Sequence, residues 1–405
     1  MPPKKTEVCI IYQTDPLGTV AGGIDSFIRG ILGAAPDDIS MHMVGITTDP
    51  EKRPTGKWTE CYIHGRPFQF YPVSSTDSLS IQRRIPLSVR LMISLLLKRL
   101  PRFIDIIEFH RIEPVLGFLL SKRPINLFMH QDMTVIRKKN CDIRWKHAPW
   151  LYFKLEALLL SKIKSLFAVR KNAVDAYRTR YPTMAEKFRF LPTWMDPNIF
   201  SPIPEQEKEA LKNKLANSYG FNKKDLLLNT VGRLDHQKDP LLLLNSFKIL
   251  LNEESNTSLI MIGEGVLKGK VKEHILKLGL SEKVILAGLR NPWEIADLHR
   301  VSDVFVLSSV YEGMPICVLE ALGCGLPVAT TEVGEVRMIV KPEENGEIAL
   351  SRTPRALAQA IANCLKKRET YKGAPCTNAV QKFVPEKVLE PVYENYRRLA
   401  NQAKI

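Results

Sequence analysis

YEGMPICVLEALGCGLPVATT, residues 311–331, decides how this 405-residue chain is read. Immediately upstream, Asp303–Leu307 (DVFVL) is a short apolar, β-rich run that predicts a buried strand. Ser308, Ser309 and Gly313 make a loop, Pro315 suits the first turn of a helix, and Ile316–Gly323 continues that helix. Gly325 and Pro327 end it, and Leu326–Thr330 reads as the next strand. Strand, loop, helix, strand is a parallel-sheet unit whose loop lies at the carboxyl edge, where such sheets bind ligands. Glu312 and Glu320 are the only charges before Glu332. Acids are rarely buried without a partner, and Glu320 shares a helical face with Ile316, Gly323 and Cys324, so something polar is expected to meet it. A carboxylate there can accept two hydrogen bonds from a vicinal diol. Amides of Gly313 and Met314, free near a helix N-terminus, favour an anionic or hydroxylated ligand.

The alternation extends in both directions. Leu226–Val231, Leu259–Ile262 and Val284–Ala287 are further strand candidates with helices between them. In the first half, Val8–Tyr12, Met41–Ile46, Pro67–Pro72, Ile104–Phe109, Asn126–His130 and Leu166–Arg170 read as strands, and Phe188–Leu191 closes the set. Gly22–Leu32, Leu151–Lys162 and Asn172–Tyr181 read as helices. Residues 192–205 (PTWMDPNIFSPIPE) are proline-rich and break the pattern, which predicts a linker; Val388–Ala400 is a final helix. The expected domains are 1–191, 206–384 and a terminal segment 385–405. The fold class is α/β, two successive βα domains.

Other segments at strand ends carry chemistry. In Val231-Gly-Arg-Leu-Asp-His-Gln-Lys238, Arg233 and Lys238 sit on a carboxyl-edge loop, followed by Asp239 as a cap and Pro240 in a first turn. Two fixed cations there suit a diphosphate. Gly263 and Gly265 bracket a tight turn after the next strand. Gly22 and Gly23 lie between the first strand and first helix, where exposed amides can approach a phosphate. His110 (IIEFH) and His130 (LFMHQD) each end a strand, and only one of them need be functional.

Glu312-Gly-Met-Pro followed by Glu320-Ala-Leu-Gly-Cys-Gly-Leu-Pro resembles the E-x7-E signature of retaining glycosyltransferases of family four, which have the GT-B fold. The resemblance is sharp only in the second half of the chain. It implies two Rossmann-like βαβ domains facing across a cleft that holds the active site. It implies a nucleotide-diphosphate sugar as donor, UDP- or GDP-linked, and a saccharide acceptor; the basic first half of the chain points to a lipid-linked one, in polysaccharide or lipopolysaccharide assembly. By the same resemblance Arg233 and Lys238 hold the diphosphate, Glu320 the ribose, and Glu312 with Gly313, Met314 and Pro315 the donor sugar. Gly263 leaves room beside the nucleotide, Gly22 and Gly23 face the donor and acceptor, and His130 contacts the transferred sugar. The family often has a serine after a later first-domain strand; Arg170 and Lys171 stand there in this chain. No D-x-D triplet occurs, so no metal is expected, and no cofactor beyond the donor itself. Another GT-B activity, a glycan phosphorylase or sugar-nucleotide epimerase, and a non-catalytic membrane-associated scaffold of the same fold are the alternatives.

Composition bounds the setting. The net charge of +15 is uneven: residues 1–195 hold 30 Lys+Arg and 17 Asp+Glu, whereas the rest of the chain is nearly balanced. From Ser78 to Ile104 there is no acid, while Arg83, Arg84, Arg90, Lys98, Arg99 and Arg102 are present around an apolar body. Arg137–Lys164 interleaves basic residues with Trp145, Trp150, Tyr152 and Phe153. Such segments suit an anionic membrane surface, and no nucleic-acid motif accompanies them. Seven scattered cysteines without metal spacing predict reduced thiols in a cytoplasm, and the polar start Met1–Thr6 carries no signal-peptide pattern. The expected location is the cytoplasm, peripheral on the inner face of its membrane.

Overall fold

The computed structural model describes residues 4–18, 23–76, 91, 93–95, 100–130 and 149–402. They form two compact units, residues 1–192 with 385–405, and residues 193–384.

In the second unit, six parallel strands are built from β9 (Leu226–Val231), β10 (Thr257–Ile262), β11 (Val284–Gly288), β12 (Val304–Leu307), β13 (Val328–Thr330) and β14 (Gly346–Ile348). Their order, β11-β10-β9-β12-β13-β14, starts from the middle and reverses between β9 and β12. Both faces of this sheet are covered, and alternate residues show it. Leu228, Leu259 and Met261 enter one apolar core, while Leu227, Ile260 and Ile262 enter another on the opposite face. Loops that leave β9 and β12 therefore emerge side by side at the carboxyl edge, the point where ligands bind in such sheets.

In the first unit, β1 (Thr6–Ile11), β2 (Ile39–Thr47), β3 (Thr59–Ile63), β4 (Arg66–Ser75), β5 (Ile106–Phe109), β6 (Ile125–Met129), β7 (Ile163–Ala168) and β8 (Phe188–Phe190) form one sheet. Its order is β3-β4-β2-β1-β5-β6-β7-β8, parallel except for the β3–β4 hairpin. β3 was not expected from the sequence. Its two-residue turn is His64-Gly65, both at positive φ (51° and 76°), and a histidine at the first position hides the usual Asn-Gly signal. The other strands lie within a few residues of their expected places, and the first helix begins at Gly23.

Residues 193–204, expected within a linker, are packed into the second unit. Trp194, Met195 and Phe200 are buried there, and the Met195 amide donates to the Phe383 carbonyl over 3.1 Å. Proline kept this stretch out of regular elements without keeping it out of the core. The terminal helix Pro385–Gln402 packs on the first unit: Tyr393 Oη donates to the Ile31 carbonyl, and Arg397 bridges Asp38. Among the described residues no helix is long and apolar enough to cross a membrane.

Of the two basic segments, residues 77–90, 92, 96–99 and 131–148 lie outside the described residues. Within the helix Pro149–Lys162 the aromatic residues divide. Trp150 is 64% exposed, but Tyr152, two residues on and so on another face of the helix, is buried in the same apolar core as Ile163 and Leu166. Tyr152 therefore drops out of the expected basic-aromatic surface. The six described cysteines are free and buried.

Candidate functional site

The loop after β9 is tightly specified. Asp235 Oδ1 accepts from the Lys238 amide over 3.0 Å, and Asp239 caps the helix Pro240–Leu250 by accepting from Leu242 N over 3.1 Å. Asp239 holds φ 44°, an uncommon value for a residue with a Cβ. Gly232 leaves space for the lysine stem: a Cβ there would stand 3.1 Å from Lys238 Cδ and Cε. Lys238 is thereby directed across the sheet to the loop after β12, where its ammonium donates to Glu312 Oε1 over 2.7 Å. Ser309 Oγ donates to the same oxygen, also over 2.7 Å. Gln237 carbonyl and side chain hold Val310 and Tyr311, and Ser308 Oγ donates to the Lys238 carbonyl. The two loops are thus tied into one wall by bonds between residues about seventy positions apart.

Electrostatics follow from this packing. Burial works against the Lys238 ammonium, but Cys317, Glu312 and Asp235 outweigh it and hold its pKa above the usual lysine range. Glu312 is buried, and its Oε1 accepts from both Lys238 and Ser309. Glu312 uses only one of the three N–H bonds of the ammonium, so Lys238 can take a further anionic oxygen without releasing it. Arg233 is 70% exposed on the same loop, paired with Asp235 over 3.1 Å and with Gln237 over 3.2 Å. It stands as a solvated cation at the rim, unlike Lys238.

Glu320 lies on the helix Ile316–Gly323, partly open to solvent; its carbonyl accepts from the Cys324 amide, but its carboxylate bonds to no described residue. Burial pushes its carboxyl up to about 7, with Lys238 opposing. An acid so placed is costly unless a ligand supplies donors. Pro315 is the cap residue of that helix, and the amides of Gly313 and Met314 donate to no other described residue. Met314 and Pro315 are themselves buried.

Gly263, at φ 139°, has a further structural task. A Cβ on it would overlap the Gly232 carbonyl, and one on Gly265 would overlap the Leu234 backbone. The turn after β10 is glycine-rich because its backbone packs on the loop that carries Lys238. Gly334 does likewise for the loop after β12, where its Cβ would overlap the Gly313 carbonyl.

In the first unit, His110 and His130 are not alternatives. His110 Nδ1 and His130 Nε2 are 2.9 Å apart, and their rings are stacked. His110 Nε2 lies 3.0 Å from Glu108 Oε1, and Tyr396 Oη of the terminal helix donates to Glu108 Oε2. Glu108 and Tyr396 are fully buried, and burial pushes the Glu108 carboxyl up to about 8. Burial pulls His110 down to about 3 and His130 well below the ordinary imidazole range. Glu108 and Tyr396 were missed in the sequence, although Glu108 carried the signal used for Glu320, an acid within an apolar run. Ser309 was read only as loop. Gly22 lies outside the described residues; Gly23 is the first residue of the helix Gly23–Gly33. Lys171 opens the helix after β7, with Arg170 at its cap position.

Residues 212–374 match the family described as glycosyl transferases group 1. An uncharacterized glycosyltransferase of Methanocaldococcus jannaschii is 35% identical over 153 residues, 37% of this chain and 36% of that protein. The UDP-Gal:alpha-D-GlcNAc-diphosphoundecaprenol alpha-1,3-galactosyltransferase of Escherichia coli is 31% identical over 163 residues, 40% of each chain. The matched stretches thus span well under half the length of these relatives. Among solved structures, sucrose-phosphate synthase from Thermosynechococcus elongatus superimposes with a TM-score of 0.77 at 18% identity, over 98% of this chain and 100% of that one. HepE of Anabaena, in complex with UDP and glucose, does so with a TM-score of 0.70 at 16% identity, over 97% and 99%.

Proposed function

Residues 212–374 belong to the glycosyl transferases group 1 family within a chain of GT-B fold, and from that premise we propose that this protein is a retaining glycosyltransferase using a UDP- or GDP-sugar. The observation that carries the reading is the Lys238–Glu312 pair at the β9–β12 reversal, beside a Glu320 carboxyl that has no hydrogen-bond partner among the described residues. Lys238 and Arg233 hold the diphosphate, and Glu320 accepts from the ribose diol. Glu312, the Gly313 and Met314 amides and Pro315 border the donor sugar, and the Gly263 turn borders the nucleotide. His130 and the Gly22–Gly23 segment contact the sugar during turnover. The bond from the anomeric carbon to the diphosphate oxygen breaks, and the acceptor oxygen bonds to that carbon on the same face. The acceptor proton passes to the departing diphosphate. The two cations stabilise the charge that develops on the leaving group, so no metal is required. Purified protein should release nucleotide diphosphate from a donor sugar in buffer containing chelator, with an acceptor product of unchanged anomeric configuration by NMR. An inverted product, or turnover that appears only with a divalent ion, sinks the corresponding part of the reading.

The acceptor is a lipid-linked saccharide, and the protein works at the inner face of the cytoplasmic membrane. The relative that transfers galactose to a diphosphoundecaprenol-linked sugar supports this, as does the cationic excess of residues 1–195. On the helix Pro149–Lys162, Trp150, Lys154 and Leu158 recur at four-residue spacing and are all exposed, an apolar and basic face of the kind that suits anionic lipid. The protein should sediment with vesicles containing anionic lipid and be released by salt. Equal sedimentation with neutral vesicles, insensitive to salt, removes the electrostatic basis.

A further inference from the structure

We infer that Glu108 and Tyr396 are positioning residues that decide, through His110, which ring nitrogen of His130 carries its proton. The inference rests on the reading of His130 as a sugar contact for its functional consequence only.

The geometry is a single file of hydrogen bonds: Tyr396 Oη to Glu108 Oε2, Glu108 Oε1 to His110 Nε2, His110 Nδ1 to His130 Nε2. Every link but the last ring is fully enclosed. A neutral imidazole donates from one nitrogen and accepts at the other, so two neutral rings in series must point the same way. Burial keeps both rings neutral. Tyr396 Oη has no other acceptor among the described residues, so it donates to Oε2 and leaves Oε1 to face His110.

Two arrangements follow. With Glu108 ionised, Oε1 accepts from His110 Nε2–H, His110 Nδ1 accepts from His130 Nε2–H, and His130 Nδ1 is a bare acceptor. With Glu108 protonated, Oε1–H donates to His110, His110 Nδ1–H donates to His130, and His130 Nδ1 carries the proton. The nitrogen left for a ligand is therefore an acceptor in one state and a donor in the other. A bare Nδ1 accepting from a sugar hydroxyl raises electron density on the sugar and favours an oxocarbenium-like transition state.

The groups around the chain are few. Tyr393 and Tyr396 face Glu108 from the terminal helix, Cys9 faces it from β1, and Arg123 acts on Cys9 from beyond β5. Asp25 on the first helix favours a charged His110, without overcoming its burial. Glu108 thus has tyrosine hydroxyls, a thiol and the neutral His110 imidazole as its near neighbours and, among the described residues, no ammonium or guanidinium bonded to it, so nothing cationic offsets the burial that raises its carboxyl to about 8.

Histidine-labelled full-length protein tests this by 15N NMR, without any ligand, titrated from about pH 6 to about pH 9.5. The His130 pair should exchange tautomer with a midpoint near 8, the Nδ1–H form at low pH and the Nε2–H form at high pH. Glu108→Gln should show no transition. Tyr396→Phe, which removes the donor that lowers the Glu108 pKa, should move the midpoint upward. In turnover, kcat should rise with pH through the same midpoint in the wild type and stay flat in Glu108→Gln, with the donor KM little changed between them. His130 signals that stay constant in the wild type, or the same transition in Glu108→Gln, overturn the inference. Absence of turnover by any wild-type protein sinks the glycosyltransferase reading instead, and the ligand-free titration still judges the relay.

Discussion

Lys238→Ala should lower sugar transfer by roughly two to three orders of magnitude, the loss typical when one charge-stabilising donor is taken from a transition state. The loss should appear in nucleotide-sugar affinity as well as kcat, because the ammonium contacts the diphosphate in both states. The substitution does more than delete a cation. It strands Glu312, which is buried and keeps only the Ser309 hydroxyl on its Oε1. Breaking such a pair is costly because the remaining carboxylate loses its counter-charge without regaining water. The variant should therefore melt below the wild type, and Lys238→Ala with Glu312→Gln should recover part of that melting temperature while recovering no transfer. Calorimetry and isothermal titration separate the two effects. Unchanged nucleotide-sugar binding in Lys238→Ala would end the assignment of this site.

Glu320→Gln should weaken nucleotide binding about 10- to 100-fold near pH 8, the cost of losing charge-assisted bonds to a diol. Its clearer mark is a change in pH dependence. In the free wild type the carboxyl is raised from 4.5 to about 7. Below that point it is protonated, and a diol that needs both oxygens as acceptors must expel the proton. Wild-type affinity should fall about tenfold per pH unit below 7 and level off above it; the glutamine variant should be flat. Stability runs the other way. A raised carboxyl pKa contributes stability that is fully present below the unfolded value and is lost as pH rises through the folded one. The ligand-free wild type should therefore lose stability between about pH 4.5 and 7 relative to Glu320→Gln. The same pH trend in both proteins would show that Glu320 does not meet the ribose. Because this limb belongs to nucleotide binding and the Glu108 limb to kcat, the two titrations are separable.

Much of this was legible along the chain. Strands β9 to β13 of the second unit were readable because parallel strands buried on both faces are continuous apolar runs, such as LLLNTV and TSLIMI; β14 (GEI), three residues around a glutamate, was not. Caps and stops such as Asp239-Pro240 and Gly325 mark their own helix ends. Glu320 betrayed itself as a charge in an apolar segment. The same reasoning applied to Glu108, but its neighbour His110 drew attention as one of two competing histidines. Nothing local says that two histidines twenty residues apart share a hydrogen bond.

The sequence by itself determined the alternation of elements, the carboxyl-edge loops and the residue types those loops present, since periodicity, capping and turn chemistry depend on near neighbours. Tertiary structure alone decided the partners. Lys238 meets Glu312 across 74 positions because the sheet places β12 beside β9, an order no local pattern encodes. Tyr396 meets Glu108 across 288 positions because the last helix packs on the first unit. Proximity of charges depends on strand order and helix docking, which are set by burial of whole faces, and so the pairings that give these residues their chemistry exist only in the folded chain.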